Sequence, residues 1–203
     1  MSFYSKVVFP RLCELFLNNA HVARRRQELL AEAGGQILEI GFGTGLNLAC
    51  YPEHVRKLTT VDPNPAMHRL ALKRVQKRDI EIDQHILGSE RLPFAEGSFD
   101  CVVSTFTLCS IENVSQALGE VCRVLRPGGK FLFLEHGLSP DPGVERWQRR
   151  LNWLQMRLGG GCRLDRNIKV LVGQAFSSVM SEESYLEQGP RTHSYLYRGV
   201  AMK

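Results

Sequence analysis

The stretch Ile37-Leu38-Glu39-Ile40-Gly41-Phe42-Gly43-Thr44-Gly45-Leu46-Asn47 is an apolar run that ends in an acid and three alternating glycines. That order reads as a strand running into a loop able to cradle a nucleotide-type ligand. Glycine reaches positive φ without penalty and lets backbone N–H groups approach a ligand with no Cβ in the way. The spacing narrows the ligand. A dinucleotide fingerprint, G-x-G-x-x-G, needs a glycine where this chain has Leu46. A tight strand-to-helix connection with no ligand is the plainer reading of such a loop.

A second acid weighs against that plainer reading. Leu58-Thr59-Thr60-Val61 is followed by Asp62, 21 residues after Gly41. This is the separation expected of a carboxylate at the tip of a second strand, where it accepts protons from both ribose hydroxyls. Loop and acid together make a two-point match to an adenosine-type ligand.

Composition sets the frame. With 203 residues and 43% hydrophobic content, the chain suffices for one sizeable core and not two. We expect a single domain over 1–203. No apolar run is long enough for a membrane span, and a cationic start followed by an apolar block is missing, so a cytoplasmic protein is expected. The six cysteines, at 13, 50, 101, 109, 122 and 162, contain no C-x-x-C pair and read as reduced thiols, with no metal site expected. The net charge of +5 is unevenly placed, because residues 34–140 carry 11 basic and 12 acidic side chains. The surplus lies in Arg24, Arg25 and Arg26 and in Arg146, Arg149, Arg150, Arg157, Arg163 and Arg166. Such runs are ordinarily solvated helix faces, though a basic surface also suits peripheral contact with an anionic membrane or nucleic acid.

Periodicity divides the chain further. A helical cap is expected over 1–33, with Val8, Leu12, Leu15 and Phe16 on one face and a second helix from His21 to Ala33. A cofactor-binding core over 34–140 alternates strands at 36–40, 58–61, 80–86, 99–105 and 130–135 with helices at 44–49, 65–77 and 113–125, which implies a parallel sheet covered on both sides. Lid helices are expected over 141–175: a basic helix at 143–158, the flexible Gly159-Gly160-Gly161, and a helix at 164–172. Trp147, Leu151 and Leu154 fit an apolar face of the first, so lid and plain packing are both open for it. An antiparallel strand pair over 176–203 completes the sheet.

Glu39 to Gly45, Asp62, Leu92-Pro93-Phe94 to Ser98-Phe99-Asp100 and Glu120 to Gly129 together resemble the class I S-adenosylmethionine-dependent methyltransferases of small molecules. Phe42 to Gly45, Val61 to Pro65, Thr107-Leu108-Cys109-Ser110 and Leu134-Glu135-His136 resemble the branch that includes alkyl thiol methyltransferases. The membrane-anchoring N-terminal helix of that branch's animal members finds no counterpart in this sequence. The resemblance implies a Rossmann-like three-layer α/β sandwich with a seven-stranded, mostly parallel sheet whose seventh strand is antiparallel. It implies S-adenosylmethionine as cofactor and S-adenosylhomocysteine as product. Glu39, Gly41, Gly43 and Gly45 would hold the methionine part and Asp62 the ribose, with Pro63, Asn64 and Met67 beside the adenosine. Gly88 and Ser89 stand where many relatives present an acid to the adenine, which points to backbone contacts, and Thr105 would close the methionine side.

The chemistry asks little of side chains, since a sulfonium methyl is already activated and in-line SN2 transfer depends mainly on alignment. For a thiol acceptor the thiolate is the nucleophile, and a base or cation nearby raises the ionised fraction. His136 is the candidate catalytic base, set against a structural role, and Cys109 reads as packing beneath the site. The leading expectation is methyl transfer to a small lipophilic or thiol acceptor. Its alternative is a phospholipid headgroup or another small-molecule N- or O-acceptor. Ser104-Thr105-Phe106-Thr107 lacks the Asn/Asp-Pro-Pro-aromatic cluster of base-amino methyltransferases, which argues against nucleic acid. Leu46 argues against a dinucleotide oxidoreductase. The acceptor's identity and the oligomeric state have no motif.

Overall fold

A computed structural model describes residues 4–203. The first three residues of the expected cap segment, 1–33, lie outside the described residues. Tyr4–Val8 forms a π-helical turn leading into α1 (Phe9–Leu17), and α2 (Ala20–Leu30) starts where the Asn19 side chain accepts from Val22 N. Then follow β1 (Ile37–Ile40), a 3-10 turn (Leu46–Ala49), β2 (Lys57–Val61), α3 (Pro65–Val75), β3 (Glu81–His85), β4 (Phe99–Thr105), α4 (Val114–Val124) and β5 (Leu125–His136). The chain continues through α5 (Pro142–Leu158), α6 (Ile168–Ala175), β6 (Ser178–Tyr185), the short α7 (Arg191–Ser194) and β7 (Tyr195–Met202).

The strands form one seven-stranded sheet in the order β3-β2-β1-β4-β5-β7-β6. Neighbours among β1 to β5 are parallel, and β7 is antiparallel to both β5 and β6. Side-chain alternation gives each strand two faces. Leu38, Ile40, Val102, Phe131 and Phe133 meet Val114, Leu118 and Val121 of α4 and Ile168 and Val172 of α6 on one face. Ile37, Leu58, Cys101, Val103, Leu132 and Leu134 meet Leu29 and Leu30 of α2 and Ala71 of α3 on the other. These are the three layers of a Rossmann-like sandwich. Strand order reverses between β1 and β4, so a crevice opens at their carboxyl ends, the usual ligand position in such sheets.

Four sequence expectations are corrected. β5 begins at Leu125, which pairs with Phe99, so Arg126-Pro127-Gly128-Gly129 belongs to an irregular strand start and does not separate helix from strand. Its backbone is held by Gly128 N donating to Lys203 O at 3.2 Å and Lys203 N donating to Gly129 O at 3.0 Å. α6 starts at Ile168 and not at residue 164, because Asn167 caps Val170 N while Leu164 and Arg166 are drawn inward. The buried stripe of α5 is Val144, Gln148 and Asn152, whereas Trp147 is 54% and Trp153 63% exposed. Finally, Arg26 and Arg166, read as part of a basic surface, are buried.

Candidate functional site

Strand β1 delivers Glu39 on the face toward α2, in a fully enclosed position. Its Oε2 accepts from Tyr51 Oη at 2.7 Å and its Oε1 from Asn47 Nδ2 at 3.0 Å. Burial is the largest influence on this carboxyl and outweighs Tyr51, Arg26 and Asn47, which favour the charge, lifting its pKa from 4.5 to about 7. Above it lies Arg26, held on α2 in the buried stripe Val22, Arg26, Leu29, Leu30. Arg26 Nη1 donates to Asn47 Oδ1 at 2.5 Å and Thr105 Oγ1 at 2.6 Å, and the guanidinium lies 5.2 Å from the centre of the Phe106 ring. Its Nε is buried without a partner among the described residues. Phe106 itself sits at φ 53, a conformation costly for a non-glycine residue and held by Phe106 N donating to Leu134 O at 2.8 Å.

The glycine loop is sewn to the ends of β2. Gly41 N donates to Val61 O at 2.8 Å, and Gly43 N donates to Asp62 Oδ2 at 2.8 Å. Asp62 Oδ1 accepts from Asn64 N at 2.8 Å, so both carboxylate oxygens are fixed by backbone and retain further lone pairs toward the crevice. Burial raises this carboxyl, opposed by those two bonds. Gly41 has φ +70, and a Cβ there would stand 2.1 Å from Thr107 Oγ1. No side chain fits at that position.

These groups line one cleft of about 330 Å³. Glu39, Gly41, Gly43, Asp62, Pro63, Asn64, Met67, Gly88, Ser89 and Thr105 all lie in its wall. Gly45 does not. It starts the 3-10 turn at φ +77, and a Cβ on it would press within 3.4 Å of Leu48, Ala71 and Phe42. Sequence reasoning missed Arg26, Asn47 and Glu90. The apolar spacing of Val22, Leu29 and Leu30 was the available signal for Arg26. Glu90 lines the cleft beside Gly88, a Cβ on which would lie 2.7 Å from Glu90 Oε2. An acid is thus present next to the position where it was thought replaced.

His136 is not part of the cleft wall. It ends β5, is buried, and its Nε2 lies 2.9 Å from Cys162 Sγ. A hydrogen bond from Cys109 is the largest influence on Cys162; burial opposes it, His136 adds to it, and the thiol falls to about 4. Burial lowers the imidazole, but Cys162 and Glu135 outweigh it and the net shift is upward. Beside it Glu135 Oε1 accepts from Ser104 Oγ at 2.7 Å, Thr107 N at 2.9 Å and Leu108 N at 3.1 Å. This carboxylate holds the loop after β4 in place.

The cleft wall also includes Phe9, Cys13 and Leu17 of α1, Phe106, Ile111 and Gly160. Gly160 packs against the tip of the Phe9 ring, with no room for a Cβ, which would be 2.6 Å from Phe9 Cζ. α1 is anchored from the opposite side by Arg74, which grips Glu14 through bonds of 3.0 and 2.7 Å and also donates to Thr44 O.

Residues 38–133 match the family model described as a methyltransferase domain. Human thiol S-methyltransferase TMT1A is 35% identical over 193 residues, covering 88% of this chain and 79% of the relative. Among solved structures, an S-adenosylmethionine-dependent methyltransferase of Thermotoga maritima, described as a possible histamine N-methyltransferase, superposes with a TM-score of 0.68 at 18% identity, covering 98% of each chain. The N-methyltransferase NodS of Bradyrhizobium japonicum WM9, solved with S-adenosyl-L-homocysteine, gives 0.66 at 19% identity, with 91% of this chain and 89% of that one covered.

Proposed function

The chain belongs to the class I S-adenosylmethionine-dependent methyltransferases, in the branch of the thiol S-methyltransferases, and on that premise we propose that it methylates a small lipophilic thiol. One observation carries the reading: a cleft with two buried acids at the ends of adjacent strands runs into a wall of Phe9, Leu17, Phe106 and Ile111. The acids suit a cationic amino-acid cofactor with a ribose, and the apolar wall suits an acceptor with little charge. The thiol functions named for the human relative agree with such an acceptor.

The residues fit the cofactor. The unpartnered Arg26 Nε is an orphaned buried donor, the kind of group that a ligand carboxylate satisfies. Glu39 would take the ammonium, the side-chain-free surface of Gly41 and Gly43 would let the methionine part lie close to the backbone, and Asp62 would take the ribose hydroxyls. Pro63, Asn64, Met67, Gly88, Ser89 and Glu90 would surround the adenosine, and Thr105 would orient Arg26. When bound, S-adenosylmethionine supplies a methyl on sulfonium sulfur. The protein's part is to align donor and acceptor and keep water out. His136 and its neighbour Cys162 both lie outside the cleft wall, so any role of His136 in the reaction would be exerted from behind it. α5 and the turn after it would serve as a lid on α1.

This reading includes action in the cytoplasm. Among the described residues no helix is long and apolar enough to cross a membrane. The exposed Trp147 and Trp153 among the arginines of α5 would allow peripheral contact with a lipid surface. The test is isotopic methyl transfer from S-adenosylmethionine to a panel of thiols, amines and phenols. Transfer to aliphatic thiols is expected; transfer confined to amines or phenols would overturn the thiol acceptor.

A further inference from the structure

Three soft donors meet behind the cleft from three separate parts of the chain. Cys109 lies in the loop after β4, His136 at the end of β5, and Cys162 directly after the glycine turn that follows α5. All three are buried, and their ligand atoms lie within 4.8 Å of one another. The backbone brackets the cluster independently of those side chains. Arg163 N donates to Cys109 O at 2.9 Å, Leu138 N donates to Arg166 O at 2.8 Å, and Arg166 Nη2 donates to Ile111 O at 2.6 Å. The second ring nitrogen of His136, Nδ1, is buried and unpartnered among the described residues. Two buried thiols and a buried imidazole, one of whose nitrogens is without a partner among the described residues, are an incompletely satisfied polar set.

We propose that Cys109, His136 and Cys162 bind one thiophilic divalent cation, with zinc as the reference ion. Sulfur and imidazole nitrogen are the donors that zinc takes, and oxygen-seeking calcium and magnesium do not. Tetrahedral zinc with bonds of roughly 2.0–2.3 Å places its donors about 3.5–3.8 Å apart. The ligand atoms already lie within 4.8 Å of one another, and reaching that spacing would require the 2.9 Å approach of His136 to Cys162 to open by a side-chain shift. Three protein ligands leave a fourth position, the pattern of an open zinc site. On the side toward the cleft stands Ser110, whose hydroxyl is 3.5 Å from Cys109 Sγ and which lines the cleft. The fourth ligand is water or, resting on the thiol reading above, an acceptor thiol that binds as thiolate and releases its proton to solvent.

The purified full chain, stripped of metal under a reductant, is titrated with zinc against a chromophoric chelator and separately with cobalt(II). The expected result is one zinc per chain and a cobalt spectrum with thiolate-to-metal charge transfer and tetrahedral bands. Cys109→Ser and Cys162→Ser should each weaken zinc by more than the roughly 10- to 100-fold that loss of a supporting residue brings, and Cys122→Ser should leave it unchanged. Zinc binding no tighter than to the chelator blank, or stoichiometric binding retained in both variants, overturns the site. If either variant fails to fold by circular dichroism, the cobalt spectrum of the unaltered protein decides alone: charge transfer supports the site and its absence overturns it. These readouts do not depend on methyl transfer. Zinc bound with no thiol methylated removes the thiol as fourth ligand and leaves the three-residue site standing.

Discussion

Glu39 carries the sharpest expectation at the scale of one residue. Its carboxyl is lifted to about 7 in the free protein by burial, and the ionised form is the one that would receive the cofactor's ammonium. Lowering the pH through 7 protonates it, so binding must then expel a proton. The dissociation constant for S-adenosylhomocysteine should rise towards tenfold per pH unit below about 7, the limit for one linked proton. Calorimetry between pH 5.5 and 8 checks this, and Glu39→Gln should bind weakly with a flat profile over that range. Gly41 gives a steric counterpart. Gly41→Ala places a Cβ at positive φ against Thr107, so a stability loss of about 1–3 kcal/mol and loss of cofactor binding are expected by thermal melt and calorimetry. Glu39 and Gly41 were legible in the sequence because both sit in one contiguous stretch. Arg26 was not, since three consecutive arginines look alike until a helix turns one of them inward.

At the scale of elements, α5 shows how far periodicity reaches. Its helical span was readable, with Asp141 accepting from Gly143 N and Val144 N at its start and Gly159 at its end. Its inward face was not, because the apolar Trp147, Leu151 and Leu154 suggested one stripe while Gln148 and Asn152 occupy the interior. Gln148 earns that place by bonding: its Oε1 accepts from Ser139 N at 2.9 Å, and its Nε2 donates to Gly137 O at 2.9 Å and Thr192 O at 3.0 Å. Gln148→Leu leaves these backbone groups without partners and should cost about 2–4 kcal/mol, whereas Trp153→Ala on the exposed side should stay within about 0.5 kcal/mol. Chemical denaturation of the two variants compares them directly. A result with the order reversed would restore the apolar face.

For the whole molecule, the position of α1 over the cleft depends on a contact 60 residues apart in sequence, Glu14 with Arg74. Burial is the largest influence and acts to raise the Glu14 carboxyl, but the bond and charge of Arg74 together with Thr44 and Arg26 outweigh it, and the net shift is downward. Glu14→Ala should therefore release α1 without unfolding the sheet, with faster hydrogen exchange over residues 9–17 and a several-fold higher KM for the cofactor. Unchanged exchange there would show that Phe9 and Gly160 suffice to hold it. What the sequence by itself determined is the strand–loop–strand unit of Glu39, the glycines and Asp62, and the alternation that makes a covered sheet, since both are written in neighbouring residues whose backbone preferences act locally. Only the tertiary structure decided that Arg26 turns inward over Glu39, that His136 leaves the cleft wall to meet Cys162, and that Cys109 joins them. Those groups come from segments far apart in the chain, and only the strand order that sets β1 beside β4 and β4 beside β5 brings them within bonding distance.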